Sequence, residues 1–454
     1  MNRKPMLSPS PPLSGLNGSR PRWYRARQLV VKAFGGGQEP IPIIRYVYYA
    51  FVFSIPFEAV DASFLSMGRG QFTIAKMLGY LFIVGTLLQP RICYNFPPKA
   101  FWGFASYLYV YMILGLLQDP VFTGAILSRL FMLVQMLVLF WLSYNMMRHE
   151  QVSRGTLWML ATSCILLALF QVAGTTSSLV GHGRISASGV NPNTFSSVLS
   201  LGLLSLIGLT YGQGKTSLRF RLLTWGGLGL LGFIIVLTGS RGAIIALMTG
   251  FLAFLLKAKE IRHWLQTHVR GSRWKISLII AVGLLFLIGF SYFYEPARAR
   301  WEKTINEGSM AGRERIWPAA WSMFLDKPLT GWGPVNHWYE LGSRLGLRVR
   351  DPHSLYLSML TETGLLGALP FFAGLWLCWC AAWKGRGGSQ GVLPIAILLA
   401  LLVINVKGTW FNQKLFWIGL AYAAASGSSV SPFPRLQKVV RVPRRIRGGR
   451  ATGR

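Results

Sequence analysis

Acidic residues and cysteines are scarce in this chain of 454 residues. Its 14 Asp and Glu stand against 47 Lys and Arg, and it has only 6 His. No paired carboxylates, DxD-type cluster or histidine pair on a predicted outer loop offers a site for a divalent cation. The four cysteines lie in one short predicted loop and inside apolar runs, a placement that excludes a disulfide framework or a structural zinc site. We therefore expect neither a metal nor any other cofactor.

Apolar residues are abundant instead, with 52% hydrophobic residues and a mean hydropathy of +0.41. The net charge of +33 by itself suggests nucleic acid or an anionic membrane surface as a partner. The basic residues, however, fall in short clusters between apolar runs of roughly 17 to 22 residues, about the length that crosses a hydrocarbon core. The pattern predicts an all-α, polytopic membrane protein that contacts lipids and binds no nucleic acid.

About twelve transmembrane spans are predicted from the apolar runs. They lie near residues 43–60, 71–88, 100–117, 125–147, 155–174, 192–211, 222–238, 241–257, 275–294, 360–383, 392–407 and 409–427. If the N-terminus is inside, the short basic loops fall on the cytoplasmic side, and the outer loops are poor in Lys and Arg except around Arg184 and in the long stretch from Glu295 to Pro352. The expected organisation is a disordered basic cytoplasmic arm (1–42), spans one to nine (43–294), a long periplasmic loop (295–352), spans ten to twelve (353–427) and a basic cytoplasmic tail (428–454). The arm has no compact apolar core of a cleavable signal peptide.

The long loop contains the sequence GRERIWPAAWSMFLDKP, which places Ile316, Ala320 and Phe324 at helical spacing. This spacing predicts an amphipathic helix at the outer membrane–water boundary. This helix is either a structural lid or a surface that helps to bind a lipid-linked substrate.

Polar groups at the predicted outer ends of spans are the candidates for chemistry, because charge near the membrane is costly. Arg184 precedes Asn191 and Pro192, which can cap and begin the sixth span. Arg241 follows a Gly-Ser break, where Ser240 can cap the eighth span.

In the sequence RVRDPHSLYLSMLTETGLLG, Asp351 is expected to cap a helix in which Pro352 and His353 take the first two positions. A helix N-terminus and nearby arginines disfavour imidazolium, so a neutral His353 can act as a general base.

Arg313 and Arg315 reach the same region only if the long loop folds back. Each candidate also has an interpretation without catalysis. Arg184 and Arg241 could extend to the lipid headgroups, and His353 could pack in the protein or cap a helix. Arg313 and Arg315 could be solvated charges of the loop. Together, however, the candidates suit a diphosphate leaving group and an incoming hydroxyl.

Four blocks of the sequence resemble, in order, those of the O-antigen ligase and polymerase superfamily: ASGVNPNTFSSVLS, LTGSRGAIIAL, GRERIWPAAWSMFLDKPLTGWGP and DPHSLYLSMLTETGLLG. The resemblance covers roughly residues 180 to 370. It implies a bacterial inner-membrane glycosyltransferase that takes a glycan from undecaprenyl diphosphate on the periplasmic face without a metal. It further implies that Arg184 and Arg241 bind the diphosphate, with Arg313 and Arg315 secondary, and that His353 and Arg241 are catalytic. One departure is Ser354, where many relatives are expected to have Asn.

The resemblance favours a ligase that transfers glycan to an acceptor sugar such as lipid A-core. A polymerase of lipid-linked repeats and a protein O-oligosaccharyltransferase are alternatives that would use the same residues. A twelve-span transporter or flippase is the alternative from another class. It is kept open by charged residues within or close to spans, namely Glu58, Lys76, Arg129, Glu362 and Lys407.

Overall fold

The computed structural model of the protein describes residues 39–58, 66–67, 72–175, 177–180, 184–187, 190–211, 217–255, 289–290 and 292–428. Helices dominate these residues, and the strands among them form two antiparallel two-stranded hairpins. Most of the predicted basic arm, and all but the first residue of the predicted tail, lie outside the described residues.

The described helices range in length from 4 residues in Pro90–Cys93 to 31 residues in Leu355–Gly385. The helices are α1 (Pro42–Glu58), α2 (Ile74–Thr86), α3 (Pro90–Cys93), α4 (Lys99–Leu116), α5 (Thr123–Met147), α6 (Glu150–Val172), α7 (Pro192–Tyr211), α8 (Leu218–Leu237), α9 (Arg241–Leu255), α10 (Glu295–Glu307), α11 (Arg313–Asp326), α12 (Asn336–Arg344), α13 (Leu355–Gly385), α14 (Leu393–Val406) and α15 (Lys414–Ser426). The strands are β1 (Ser66–Met67), β2 (Phe72–Thr73), β3 (Ser177–Val180) and β4 (Arg184–Ala187), and two 3₁₀ turns cover Pro120–Phe122 and Trp410–Asn412.

The helices coincide with every predicted span except the ninth, near 275–294, most of which lies outside the described residues. Among the described residues, five segments are long and apolar enough to cross a membrane: Pro120–Met147, Glu150–Val172, Pro192–Thr210, Leu218–Leu237 and Leu355–Gly385. Three shorter helices, α2, α9 and α14, are also apolar. The prediction of an α-helical membrane protein is therefore confirmed, whereas the count of twelve spans and the orientation stay predictions.

Aromatic rings fix the position of the segment between α14 and α15. Phe411 in this segment lies 5.4 Å from both Tyr107 of α4 and Phe371 of α13, measured between ring centroids. Trp417 of α15 lies 5.2 Å from Phe104, and its indole N–H donates to the Phe411 carbonyl at 2.8 Å. Buried ring pairs of this kind add stabilisation beyond their area, so the 407–412 segment is held rigidly.

α13 is broken at Gly364, whose backbone is left-handed (φ 57°). The segment between α11 and α12 pairs with the break. The N–H groups of Trp332 and Gly333 donate to carbonyls of α13 at 2.8 and 2.9 Å, and those of Leu365 and Leu366 donate to the segment at 2.8 and 3.1 Å. Non-helical backbone within an apolar span is tolerated where protein groups satisfy it, as they do here.

The predicted amphipathic helix of the long loop is α11. Ile316 and Ala320 are buried as its spacing predicts, and Met323 is buried more completely than Phe324. These side chains pack on Leu341 of α12. The apolar face of α11 is therefore covered by protein.

Candidate functional site

Arg184 is the first residue of β4, and its guanidinium lies between the start of α7 and the end of α8. Its Nε donates to the Thr238 carbonyl at 2.9 Å, and its Nη2 donates to the Asn193 side chain at 3.3 Å. α7 begins as predicted, with Pro192 in the first position and the Asn191 side chain accepting from the Asn193 N–H at 2.9 Å. The cap of α7 thus helps to position Arg184.

Arg241 begins α9, as predicted, and binds a helix of the long loop. Its Nη1 donates to the carbonyl of Arg300 in α10, while the Nη1 of Arg300 donates to the Gly239 carbonyl at 3.1 Å. The two arginines therefore tie α10 to the turn between α8 and α9. This contact folds the first helix of the long loop back onto the ends of the spans.

Arg313 and Lys407 approach the same place from other elements. The Nη2 of Arg313 donates to the Lys407 carbonyl at 2.8 Å, and the Nζ of Lys407 donates to the Ser240 hydroxyl at 3.4 Å. Lys407 crosses the start of α9 directly over Gly242, where a Cβ would lie 2.1 Å from the Lys407 Cδ. Glycine at this position lets the lysine side chain pass.

These basic residues form what we call the cation cluster: Arg184, Arg241, Arg300, Arg313 and Lys407. Within the described residues their hydrogen bonds go to carbonyl, hydroxyl and amide oxygens, and none forms an ion pair with a carboxylate. The nearby carboxylate of Glu314 accepts backbone N–H groups of Met310 and Gly312 instead.

Burial, and secondarily mutual repulsion, disfavour the charged forms of the cation cluster. Burial, with Arg300 and Arg241 adding to it, lowers the pKa of Arg184 to about 10. Lys407 lies beyond the end of α14, outside the membrane-spanning helices, and burial beside Arg313, Arg300 and Arg184 lowers its pKa to about 7. A bound anion would relieve this repulsion, so the cluster has the electrostatics of an anion site.

Arg315 does not join the cation cluster. It is exposed, and in the described part of the chain its side chain makes no hydrogen bond or ion pair with the cluster. Of the four predicted diphosphate-binding arginines, the structure thus brings together Arg184, Arg241 and Arg313 and leaves Arg315 apart.

The prediction that Asp351 caps a helix with Pro352 and His353 in its first two positions is wrong, because α13 begins only at Leu355. The Asp351 side chain accepts the His353 N–H at 2.6 Å, and His353 is left-handed, with φ 52°. This local turn competes with the helix and delays its start. The imidazole Nδ1 lies 3.3 Å from the Asp351 carboxylate, and 42% of the His353 side chain is exposed.

The 407–409 segment joins His353 to the cation cluster. The Thr409 hydroxyl donates to Asp351 at 3.1 Å, and the Leu355 N–H donates to the Gly408 carbonyl at 3.2 Å, next to Lys407. Burial raises the pKa of Asp351, but the hydrogen bonds from His353 and Thr409 outweigh it, and the net pKa is lowered. His353 therefore sits against the Asp351 carboxylate, which also accepts a hydrogen bond from Thr409, two residues after Lys407.

A second charged group lies deeper, where α5, α12 and α13 meet. Arg129 of α5 lies 3.6 Å from the carboxylate of Glu362, and His337 lies 3.8 Å from the same oxygen. The Tyr107 hydroxyl donates to Glu362 at 3.3 Å. Arg129 and Glu362, which left the transporter interpretation open, are thus paired with each other.

Sequence reasoning missed two members of the cation cluster. Arg300 belongs to a run of charged residues that looks solvated, and nothing in its spacing distinguishes it from Arg298. In the sequence, Lys407 is only one of several charged residues at the end of a predicted span. The only sequence signal for Lys407 is its position directly after an apolar helix. This position does not indicate a site unless it is known that the lysine contacts the start of α9.

These observations define an α-helical, multi-pass membrane protein with a cationic site at the ends of its helices. The profile of the family described as O-antigen ligase matches residues 226–372. An O-antigen ligase of Pseudomonas aeruginosa is 27% identical over 209 residues, which are 46% of this chain and 42% of that ligase. The match thus spans less than half of that relative's length. Over these stretches the chain is therefore similar to the O-antigen ligase superfamily.

Proposed function

We propose that the protein is a ligase-like glycosyltransferase that moves a glycan from undecaprenyl diphosphate to an acceptor sugar such as lipid A-core. The reaction would take place on the periplasmic face of the bacterial inner membrane. The observation that carries the proposal is the cation cluster, five basic side chains without a paired carboxylate in the described residues, beside a histidine held by Asp351. The similarity of residues 226–372 to the O-antigen ligase family supports it.

The cation cluster would bind the diphosphate of the donor. Arg184 and Arg241 stand at the starts of a strand and a helix, and Arg300 and Arg313 come from the long loop. Guanidinium groups bind phosphate oxygens in pairs and stabilise the charge that develops on the leaving group. Because neutral partners hold these side chains in place beforehand, little reorganisation is needed when the bond breaks.

His353 would act as the general base. Its Nδ1 faces Asp351, which favours the tautomer with the proton on Nδ1 and leaves Nε2 free to accept a proton. The acceptor hydroxyl gives its proton to Nε2, and its oxygen forms a bond to the anomeric carbon. The bond from that carbon to the phosphate oxygen breaks, and undecaprenyl diphosphate leaves with the electron pair. A base of this kind contributes about 10² to 10⁴ in rate.

A transfer assay in membranes tests the assignment. Membranes holding the lipid-linked donor and the protein are compared for wild type, Arg241→Ala, His353→Ala and the matched Arg315→Ala. We expect the first two variants to lose transfer and Arg315→Ala to keep it. Activity near wild type in both Arg241→Ala and His353→Ala would remove the assignment.

A polymerase that passes the chain to another lipid-linked repeat would use the same residues, and so would a protein O-oligosaccharyltransferase. Complementation of strains that lack either the ligase or the polymerase, with the glycans separated on a gel, distinguishes the first two. Long chains on lipid A-core identify a ligase, and a restored ladder of repeats identifies a polymerase. If neither strain is complemented and the glycan is found on a protein, the chain is a protein O-oligosaccharyltransferase.

A further inference from the structure

A pocket of about 400 Å³ lies beside the Asp351–His353 turn, and Asp351 is part of its lining. This is within the size range of small-molecule sites. Its walls come from α5, α12 and the 407–412 segment, and its polar lining consists of Ser128, Arg129, Trp338, Asp351, Thr409 and Asn412. Asp351 is shared, since it lines the pocket and also binds His353.

One nitrogen donor of this lining is left without a partner. The indole Nε1 of Trp338 is buried and forms no hydrogen bond within the described residues, whereas the Nε of Arg129 faces the Glu362 carboxylate at 3.6 Å. The Arg129 guanidinium lies 4.3 Å from the centroid of the Trp338 ring, which fixes both groups against one another. Buried donors in proteins nearly always find an acceptor, so a ligand oxygen is expected here.

The charge of the pocket differs from that of the cation cluster. Arg129 is already paired with Glu362 at 3.6 Å, and the Asp351 carboxylate is part of the wall. One cation therefore faces two carboxylates, a balance that repels a diphosphate. The hydroxyls of Ser128 and Thr409 and the amide of Asn412 supply both donors and acceptors for an uncharged polyol.

We propose that this pocket binds an uncharged, hydroxyl-rich sugar residue of the acceptor and presents its reacting hydroxyl to His353. The proposal rests on the proposed transferase function, because it requires an acceptor beside the base. It divides the site in two: the cation cluster binds the donor's diphosphate, while Trp338 and Asn412 select the acceptor.

Filling the pocket is the first test. Ala125 of α5 lines it and is exposed, so Ala125→Trp would occupy it without removing a polar group. We expect the KM for the acceptor to rise by at least about tenfold, with the KM for the donor changed less than about twofold. Leu127→Trp, on the same helix but outside the pocket lining, is the matched control and should leave both unchanged. A rise in the donor KM alone would overturn the proposal.

Two milder variants remove single hydrogen-bonding groups. Trp338→Phe keeps an aromatic ring and deletes the Nε1 donor, and Asn412→Ala truncates an exposed side chain, which leaves the fold intact. Each should raise the acceptor KM by about three- to tenfold, the effect of one lost hydrogen bond. Trp321→Phe, at an exposed position on α11, is the control and should have no effect. An acceptor KM equal to that of wild type in both variants contradicts the proposal.

A binding measurement separates this proposal from the proposed function. The full chain in nanodiscs is titrated with two probes, inorganic pyrophosphate and a lipid-free, uncharged outer-core oligosaccharide. We expect Ala125→Trp to weaken only the oligosaccharide and Arg300→Ala only the pyrophosphate. If wild type binds pyrophosphate but binds the oligosaccharide no better than Ala125→Trp does, the pocket assignment fails and the transferase proposal stands. If wild type does not bind pyrophosphate, the transferase proposal itself fails.

Discussion

The cation cluster and the Arg129–Glu362 pair are two buried charged groups that are balanced in opposite ways. Arg129 faces a carboxylate at 3.6 Å, so its charge is compensated within the protein. The five side chains of the cation cluster bind neutral oxygens, and no carboxylate pairs with them in the described residues. The difference indicates that the pair stabilises the fold, whereas the cluster leaves its compensation to a ligand. Each prediction below tests this distinction.

Removing the carboxylate of the pair should have the largest effect on stability. Glu362→Ala leaves Arg129 buried without a counter-charge, and we expect the free energy of unfolding in detergent to fall by about 3–5 kcal/mol. Glu302→Ala is the control, since it breaks an exposed pair with Arg298 and should cost no more than about 0.5 kcal/mol. Equal losses in the two variants would show that the buried pair is not structural.

Removing the base should have a large effect on rate and none on stability. His353→Asn keeps a residue that tolerates the left-handed backbone (φ 52°) and deletes the imidazole. We expect kcat to fall by about 100-fold or more with an unchanged melting temperature. His149→Asn, just before α6, is the control. A kcat within a few-fold of wild type would contradict the role of His353.

Removing an unpredicted member of the cation cluster should weaken donor binding. Arg300→Ala deletes the guanidinium that binds Gly239, and we expect the donor KM to rise by about tenfold or more, the size of a lost charged hydrogen bond. Arg298→Ala lies on the same helix, is exposed, and should leave the donor KM within about twofold. The same KM in both variants would exclude Arg300 from the site.

The smallest expected effect is a pH dependence of anion binding. Lys407 has a pKa lowered to about 7, so it loses its proton as the pH rises from 6 to 8. A bound anion favours the protonated form, so pyrophosphate affinity should fall over this window by at most about tenfold per pH unit. Lys407→Met, measured with pyrophosphate in the same way, should not show the fall in affinity that comes from the lysine between pH 6 and 8. Identical pH profiles for the two proteins would exclude Lys407.

Much of the architecture was predictable, because apolar length and helix-start residues are local signals. Asn191 and Pro192 begin α7, and Arg241 begins α9, as the sequence predicts. The sequence groups Arg184 with Arg241 because both lie at predicted outer ends of spans. In the structure, Arg184 donates to the Thr238 carbonyl, three residues before Arg241, and Arg241 donates to the Arg300 carbonyl.

Other features depended on contacts between distant segments, which a single sequence does not display. Arg300 joins the site only because α10 folds back onto the α8–α9 turn. The sequence predicts a helix start at Pro352, but α13 begins at Leu355, because the Asp351 side chain can either cap a helix or form a local turn. Hydrogen bonds to Gly408 and Thr409 favour the turn. The Arg129–Glu362 pair joins two helices far apart in the chain.

The break in α13 bears on how the chain is assembled during synthesis. The backbone groups around Gly364 bind the segment between α11 and α12, which leaves the ribosome first. The partner is therefore already made when this span enters the bilayer, and the four backbone bonds need not wait for later residues. A chain that reaches the translocon without that segment would expose bare amide and carbonyl groups to hydrocarbon, so the quality of insertion depends on the loop upstream.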